Sequence, residues 1–169
     1  MDAKVKEIKN LTERNVFECV EDHGQSTVST RWVFHRKVRQ NGEEYLKARL
    51  VARGFEENLQ DTRTDSPTCS RQSLRMALAT APIMSWKLHS LDITAAFLQG
   101  SYIDRDVFVR PPHDFIEDGK LWKLRRCMYG LNDAPRMWYD RVVQELKNLN
   151  GKVSTYDNAM FLWHDADGN

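Results

Sequence analysis

One carboxylate, Asp92, lies in the run SLDITAAFLQG (residues 90–100), where all the other residues are uncharged. Removing water from a carboxylate is costly, so a buried Asp needs a cation, hydrogen-bond donors or a metal ion. The stretch 86–93 is typical of a strand, and small residues follow it and leave space. A carboxylate at such a strand end is a reasonable ligand for a hard cation such as Mg²⁺. The alternative from local sequence alone is an N-cap for a turn that begins at Thr94.

A second candidate feature is a set of cations on a predicted β-hairpin. Two β-rich runs, Trp32–Val38 and Tyr45–Ala52, flank Asn41-Gly42, which is a strong turn signal. The cations on and beside this hairpin are Arg31, Arg36, Lys37, Arg39, Lys47, Arg49 and Arg53. Such a surface can bind phosphates. It can also be a solvated face of the kind that protects edge strands.

The remaining elements alternate between helices and strands. They are a short helix in 3–11, a helix capped by Ser70, strands in 106–112 and 121–128, a long helix after Asp133, and a strand in 159–163. Pro135 fits the first turn of the long helix, and Gly151 follows its end. This order predicts an α+β fold with a mixed or antiparallel sheet and packed helices.

The composition is that of an ordinary soluble protein with one domain. The chain has 169 residues, of which 41% are hydrophobic and 29% charged. Twenty-five Lys and Arg against 24 Asp and Glu give a net charge of +1, which favours no class of partner. Three scattered cysteines argue against a disulfide framework or a zinc site. Because the sequence shows no signal peptide and no membrane-spanning run, we expect a cytoplasmic or nuclear protein with no membrane contact.

Several blocks occur in an order that is specific to one family. They are WVF, YLKARLVARGF, LDITAAFLQG, VFVRPPHDF, MYGLNDAPRMWYDRV and YDNAMF. Through them the whole chain resembles the reverse transcriptase domain of copia-type (pseudovirus) long-terminal-repeat retrotransposons. The resemblance implies a single, truncated part of a right-hand RNA-directed DNA polymerase, with fingers in about 1–85 and the first half of the palm in about 86–169. It implies as partners an RNA or DNA template-primer, deoxynucleoside triphosphates, and the rest of the polyprotein, namely the remaining palm, the thumb and ribonuclease H.

The resemblance also implies roles for residues near Asp92 and in the YG block. In this family two Mg²⁺ or Mn²⁺ ions assist the attack of the primer 3′-hydroxyl on the α-phosphate of the nucleotide. Asp92 matches the first carboxylate that binds these ions, and the carbonyl of Ile93 is a further ligand. Phe97 matches the aromatic residue beneath the incoming sugar; the alternative is a core phenylalanine. Tyr129 and Gly130 match the loop beside the nascent base pair, where glycine permits close backbone approach or simply forms a turn.

The cations of the hairpin and of the long helix receive roles as well. Lys47 and Arg49 are candidates for the triphosphate of the nucleotide, with a solvated face as the alternative. The candidates for the nucleic-acid backbone are Arg53, Arg36, Lys37 and Arg136. Arg136 could instead pair with Asp133 or Asp140. Asp133 departs from the family pattern, so we expect it either to add negative charge near the nucleotide or to cap the helix.

The second metal-binding element of the family, a hairpin with adjacent aspartates, has no match, because the sequence contains no Asp-Asp pair. Asp165 and Asp167 lie in a predicted turn, and Asp157 matches a position outside the catalytic set. One carboxylate cannot hold two ions, so we expect the isolated chain to be inactive as a polymerase. We also expect marginal folding, because the strand at 159–163 has no returning partner. Two alternatives stay open: a non-catalytic nucleic-acid-binding module, and an inert, degenerate remnant of the element.

Overall fold

A computed structural model of the protein describes residues 2–57 and 62–163, which fold into three α-helices and eight β-strands. The helices are α1 (Ala3–Glu13), α2 (Arg71–Ile83) and α3 (Ala134–Asn148). The strands are β1 (Phe17–Glu21), β2 (Thr27–Val28), β3 (Thr30–Val38), β4 (Glu44–Ala52), β5 (Phe108–Val109), β6 (Lys120–Leu124), β7 (Lys152–Val153) and β8 (Phe161–Leu162). The predicted mixture of helices and strands is therefore confirmed. None of the helices in these ranges combines the length and the apolar character needed to cross a bilayer.

The central sheet has four strands in the order β1-β6-β5-β2. The β1–β6 and β5–β6 pairs are antiparallel, whereas β2 and β5 run parallel, so the sheet is mixed, as predicted. On this sheet the ring of Phe17 stacks on that of Trp122 with centroids 3.9 Å apart. The side chains of Val109, Leu121 and Leu124 are buried. Burial of these side chains provides the main driving force that holds the sheet to the rest of the core.

The predicted hairpin is formed by β3 and β4, which pair antiparallel along nine residues each, with Trp32 opposite Leu50. Its turn is closed by a hydrogen bond from the Arg39 amide to the Glu43 carbonyl at 2.9 Å. Gly42 takes a positive φ of 81°, which a residue without Cβ adopts at little cost. The hairpin predicted around Asn41-Gly42 is therefore present.

Helix α1 packs along β4, and the three-residue spacing of Val5, Ile8 and Leu11 does not by itself define its buried face. Leu11 is fully buried, as its spacing indicates, whereas Val5 is largely exposed. Glu7 is buried instead, with 7% of its surface exposed. The face that contacts the hairpin is thus rotated toward Glu7, and a carboxylate enters the interior.

The predicted strand at 86–93 is wrong. Chain segment 84–95 contains no helix or strand, and Leu91 within it is 92% exposed. A strand persists only when a neighbour satisfies its amides and carbonyls, and no described strand pairs with this segment. Asp92 therefore lies in exposed coil, where water solvates it, and the burial that the sequence suggested does not occur.

The elements on either side of this coil match the sequence more closely. Ser70 caps α2, as predicted, by accepting a hydrogen bond from the Ser73 amide at 3.0 Å. The Asp157 carboxylate accepts from the amides of Ser70 and Ala159, and these bonds and the Ser73 hydroxyl hold its pKa well below the usual range. Asp157 thereby ties the start of α2 to the β7–β8 hairpin.

Helix α3 begins and ends as predicted. Pro135 lies in its first turn, and the Gly151 amide donates to the Leu146 carbonyl at 2.8 Å just past its end. The expected strand at 159–163 is present as the shorter β8, paired with β7. The predicted turn that contains Asp165 and Asp167 lies outside the described residues.

Candidate functional site

The outer edge of β4 lies against α1 and the segment after β6. Alternate residues of a strand point their amides to the same side, so the amides of Leu50 and Ala52 face the same way. The Leu50 amide lies near the Glu7 carboxylate of α1 and favours its charged form. The Ala52 amide donates to the Tyr129 carbonyl at 2.7 Å, and the Gly54 amide donates to the Gly130 carbonyl at 3.2 Å. Helix α1 and the segment after β6 therefore fix the hairpin along this edge.

Two glycines make this close backbone contact possible. Gly130 has a φ of 93°, and a Cβ there would overlap the Ala52 carbonyl oxygen and lie 2.5 Å from Cγ1 of Val51. A Cβ on Gly54 would overlap the Gly130 carbonyl oxygen. The close approach at Gly130 is thus to the hairpin of the same chain. Its predicted approach to a nucleotide stays a prediction.

Side chains from the hairpin and from two other segments meet at this junction. The guanidinium of Arg49 lies over the ring of Tyr129, 5.4 Å from its centroid. The ring of Phe97, in a 3₁₀ turn at Ala96–Gln99, meets Tyr129 edge-on with centroids 6.1 Å apart. Phe97 also packs against the hydrophobic core, so both interpretations of this residue remain compatible with its position. Gly130 directly follows Tyr129, and Lys47 lies on β4 two residues before Arg49.

A cavity of about 490 Å³ opens beside this cluster. Tyr129 and Lys47 line it, together with Thr94 and Ala95 from the segment that follows Asp92. The remaining wall comes from α1 and the start of β4, and its residues are Ala3, Lys6, Glu7, Lys9, Asn10, Glu13, Tyr45, Leu46 and Ala48. The structure thus brings a predicted triphosphate cation and the predicted base-pair tyrosine to one cavity.

The charges around this cavity interact strongly. Burial raises the pKa of the Glu7 carboxyl, while the Leu50 amide and the nearby Lys47 act in the opposite direction. Burial, together with repulsion from Arg49, lowers the pKa of Lys47. Burial and the neighbouring Glu7 raise the pKa of Tyr129. The protonation state of each group therefore depends on the others.

A partly buried ionic cluster joins the chain just after the hairpin to the start of α3. Arg105 bonds both Glu57, which follows the hairpin, and Asp133, at the start of α3; its distance to Asp133 is 2.8 Å. Asp133 is 3% exposed and raises the pKa of the Cys127 thiol, although burial is the larger cause. Asp133 occupies the N-cap position of α3 but makes no side-chain capping bond, and it pairs with Arg105. Its expected effect on the nucleotide stays a prediction. Arg105 and Glu57 were missed because no local pattern links residues 48 positions apart.

The other predicted nucleic-acid cations make contacts outside this cluster. Arg136 pairs with Asp140 at 2.9 Å and with Asp65 at 3.3 Å, so the intrahelical alternative is found with Asp140 and not with Asp133. The remaining pairs are Arg53 with Glu56 at 3.8 Å and Arg36 with Glu44 at 3.6 Å. Lys37 is exposed near the hairpin tip. None of these ion pairs tests the prediction that these cations bind the nucleic-acid backbone.

Asp92 and Ile93 are not part of the cluster formed by Arg49, Phe97 and Tyr129. Within the described ranges Asp92 makes no hydrogen bond or ion pair, so it does not cap the turn at Thr94. Ile93 lines a second cavity, of about 600 Å³, together with Trp138 and Val142 of α3. Across residues 2–57 and 62–163, no group of three or more His, Cys, Asp or Glu could hold a metal ion. The described residues therefore do not by themselves fit the two-ion site that the resemblance implies.

Comparison with known proteins agrees with the sequence blocks. A family profile described as reverse transcriptase (RNA-dependent DNA polymerase) matches residues 14–169. The chain is 36% identical over 141 residues to the retrovirus-related Pol polyprotein from transposon RE1 of Arabidopsis thaliana, and 34% identical to that from transposon RE2. These matches cover 80% of the chain and 10% of each polyprotein.

A third relative covers the full chain. This is the Pol polyprotein from transposon TNT 1-94 of Nicotiana tabacum, with 32% identity over 100% of the chain and 13% of the polyprotein. The chain thus spans about a tenth of the length of these relatives. No solved structure matches it. The profile and these relatives show that the chain belongs to the reverse transcriptase family, among the Pol polyproteins of copia-type transposons.

Proposed function

We propose that the chain is the nucleotide-binding part of an RNA-directed DNA polymerase, with fingers in about 1–85 and the first half of the palm in about 86–169. One observation carries this proposal: β4 is bonded to the Tyr129–Gly130 backbone, so that Lys47, Arg49 and Tyr129 meet. Cations and an aromatic face beside one cavity suit a polyphosphate joined to a base. The cavity of about 490 Å³ is the proposed nucleotide site.

Each residue of the cluster has a distinct role in this proposal. Lys47 and Arg49 bind the triphosphate, because ionised donors form the stronger hydrogen bonds to phosphate oxygens. Phe97 lies beneath the sugar, and Tyr129 with Gly130 borders the nascent base pair. The proposed contacts to the template-primer backbone come from Arg53, Arg36, Lys37 and Arg136.

Asp92 and the carbonyl of Ile93 are the proposed ligands of Mg²⁺ or Mn²⁺. Primer extension in this family needs two ions, and the described residues supply no second carboxylate cluster. We therefore expect the 169-residue chain to yield no primer extension with either ion. Template-dependent products in that assay would contradict this expectation.

Binding measurements test the nucleotide site directly. We expect a labelled deoxynucleoside triphosphate to bind at low salt, and the double variant K47A/R49A to bind at least about tenfold more weakly. R125A is the matched control, because Arg125 is an exposed cation that pairs with Glu18 on the sheet. Its affinity should stay within about twofold of the parent. Equal losses in both variants would contradict the proposed site and leave only nonspecific attraction.

An RNA–DNA hybrid in the same assay separates the two alternatives. Salt-dependent binding of the hybrid without nucleotide binding would favour a non-catalytic nucleic-acid-binding module. An absence of binding to both probes at low salt would favour an inert remnant. Either result would replace the polymerase proposal for this chain.

A further inference from the structure

Glu7 is a buried carboxylate at the cationic side of the cavity. It lines the cavity together with Lys47 and Tyr129, although it lies on α1, where sequence spacing indicates only a packing helix. The Leu50 amide lies near its carboxylate, whereas Oε1 has no hydrogen-bond partner in the described structure. A buried acceptor without a donor lowers the free energy of unfolding, so the burial of Glu7 needs an electrostatic explanation.

The groups that face Glu7 come from every element packed against it. On β4 these are the side chains of Lys47 and Arg49, both close enough to favour its charged form. Asn10 lies near it on its own helix, and Tyr129 faces it from the segment after β6. The Nε atom of Arg49 is also buried without a partner. One anion thus stands against the two cations that the proposed function assigns to the triphosphate.

We propose that Glu7 is a positioning residue that opposes the charge of Lys47 and Arg49 and so sets how strongly the cavity attracts a polyphosphate. The inference rests on the proposed function, because it assumes that these two cations bind phosphate. Glu7 acts in two ways. It is buried where α1 packs on the strand that carries both cations, and its charge lowers the positive potential that a polyphosphate meets.

The direction of the pH dependence follows from burial. Because burial raises the pKa of Glu7, the carboxyl takes up its proton at a higher pH than an exposed Glu does. Above that pKa the carboxylate opposes the cations and weakens anion binding. As the pH falls through it, Glu7 becomes neutral, and the cavity attracts polyphosphate more strongly.

The substitution E7Q isolates the charge, because glutamine has almost the same size and shape as glutamate and keeps an acceptor oxygen. We expect E7Q to bind inorganic tripolyphosphate about three- to tenfold more tightly than the parent chain at pH 8. The ratio should approach one as the pH falls, and comparison at each pH cancels titration of the probe. E13Q is the control, since Glu13 lines the same cavity but is exposed and pairs with Lys9. Its affinity should change by less than about twofold.

A second measurement does not depend on ligand binding. NMR titration of the Glu7 carboxyl should show a higher pKa in K47M than in the parent, because the substitution removes a nearby positive charge. An unchanged Glu7 pKa in K47M would overturn the inference. So would unchanged or weaker tripolyphosphate binding by E7Q in a chain whose K47A/R49A variant binds more weakly, and that pattern leaves the proposed function standing. An absence of tripolyphosphate binding in every variant would overturn both.

Discussion

The junction of β4 with the Tyr129 segment and the coil at 84–95 are held in opposite ways. At the junction, β4 is hydrogen-bonded to the Tyr129 segment, and two glycines allow the two backbones to pack closely. A partly buried ionic cluster around Arg105 adds a further link. In the coil, Trp86, Leu88 and Leu91 are exposed, and no described strand pairs with the backbone. The proposed phosphate-binding side is therefore organised by contacts within this chain, whereas the segment of Asp92 is not.

The difference shows that residues matched by the sequence blocks of one family need not be held equally firmly by the fold. Lys47 and Arg49 lie on a strand that is paired on one edge and hydrogen-bonded on the other. Asp92 has only solvent as its partner within the described part of the chain. Substitutions at the junction should consequently cost stability, whereas substitutions in the coil should not.

The largest effect is expected from G130A. The new Cβ would overlap the Ala52 carbonyl oxygen, and alanine is also strained at the φ of 93°. We expect the free energy of unfolding to fall by about 3 kcal/mol, since neither backbone can move without breaking the bond between Ala52 and Tyr129. Urea denaturation followed by circular dichroism measures this loss.

G42A provides the matched control, because Gly42 also has a positive φ but has open space around its Cβ position. It should lose only about 1 kcal/mol, from backbone strain alone. Equal losses in G42A and G130A would show that backbone strain, and not close packing of the junction, governs the effect.

The next effect is expected from R105M. It leaves the buried carboxylates of Glu57 and Asp133 without their cation, so we expect a loss of about 2 kcal/mol in the free energy of unfolding. R136M removes an arginine of the same size whose partners, Asp65 and Asp140, are more exposed, and it should lose less than about 1 kcal/mol. Thermal unfolding of the two variants compares them; a larger loss in R136M would contradict the importance of the buried cluster.

The smallest effect is expected from D92N. Asp92 is exposed and makes no ion pair within the described ranges, so the free energy of unfolding should change by less than about 0.5 kcal/mol. Urea denaturation tests this, and hydrogen exchange should show rapid exchange of amides 87–93 in both the parent and D92N. A loss above about 1 kcal/mol would mean that Asp92 has a structural partner and that the two regions differ less than proposed.

The parts of the fold that sequence predicted are those fixed by local chemistry. The hairpin follows from the turn at Asn41-Gly42, and the start of α2 follows from Ser70. The strand expected at 86–93 failed because strand pairing depends on a neighbour that local patterns do not reveal. The same limit explains Arg105, which joins Asp133 across 28 positions of the chain.

The candidate site residues show the same limit of prediction from local sequence. The family blocks identified Lys47, Arg49 and Tyr129, which the structure brings together, although their roles stay predictions. Glu7 was missed because a charged residue beside Lys6 on a short helix is typical of a solvated face. Its burial arises only from the packing of α1 on β4, which no spacing in α1 encodes.

Occupation of the outer edge of β4 also bears on association between chains. A free strand edge is a template for intermolecular β-sheet growth, which leads to aggregation or domain swapping. Because the amides of Ala52 and Gly54 already have acceptors and α1 packs along β4, a foreign strand could add along this stretch only by displacing α1 and the Tyr129 segment. The contacts that align the cations thus also protect the part of the hairpin far from its tip from self-assembly.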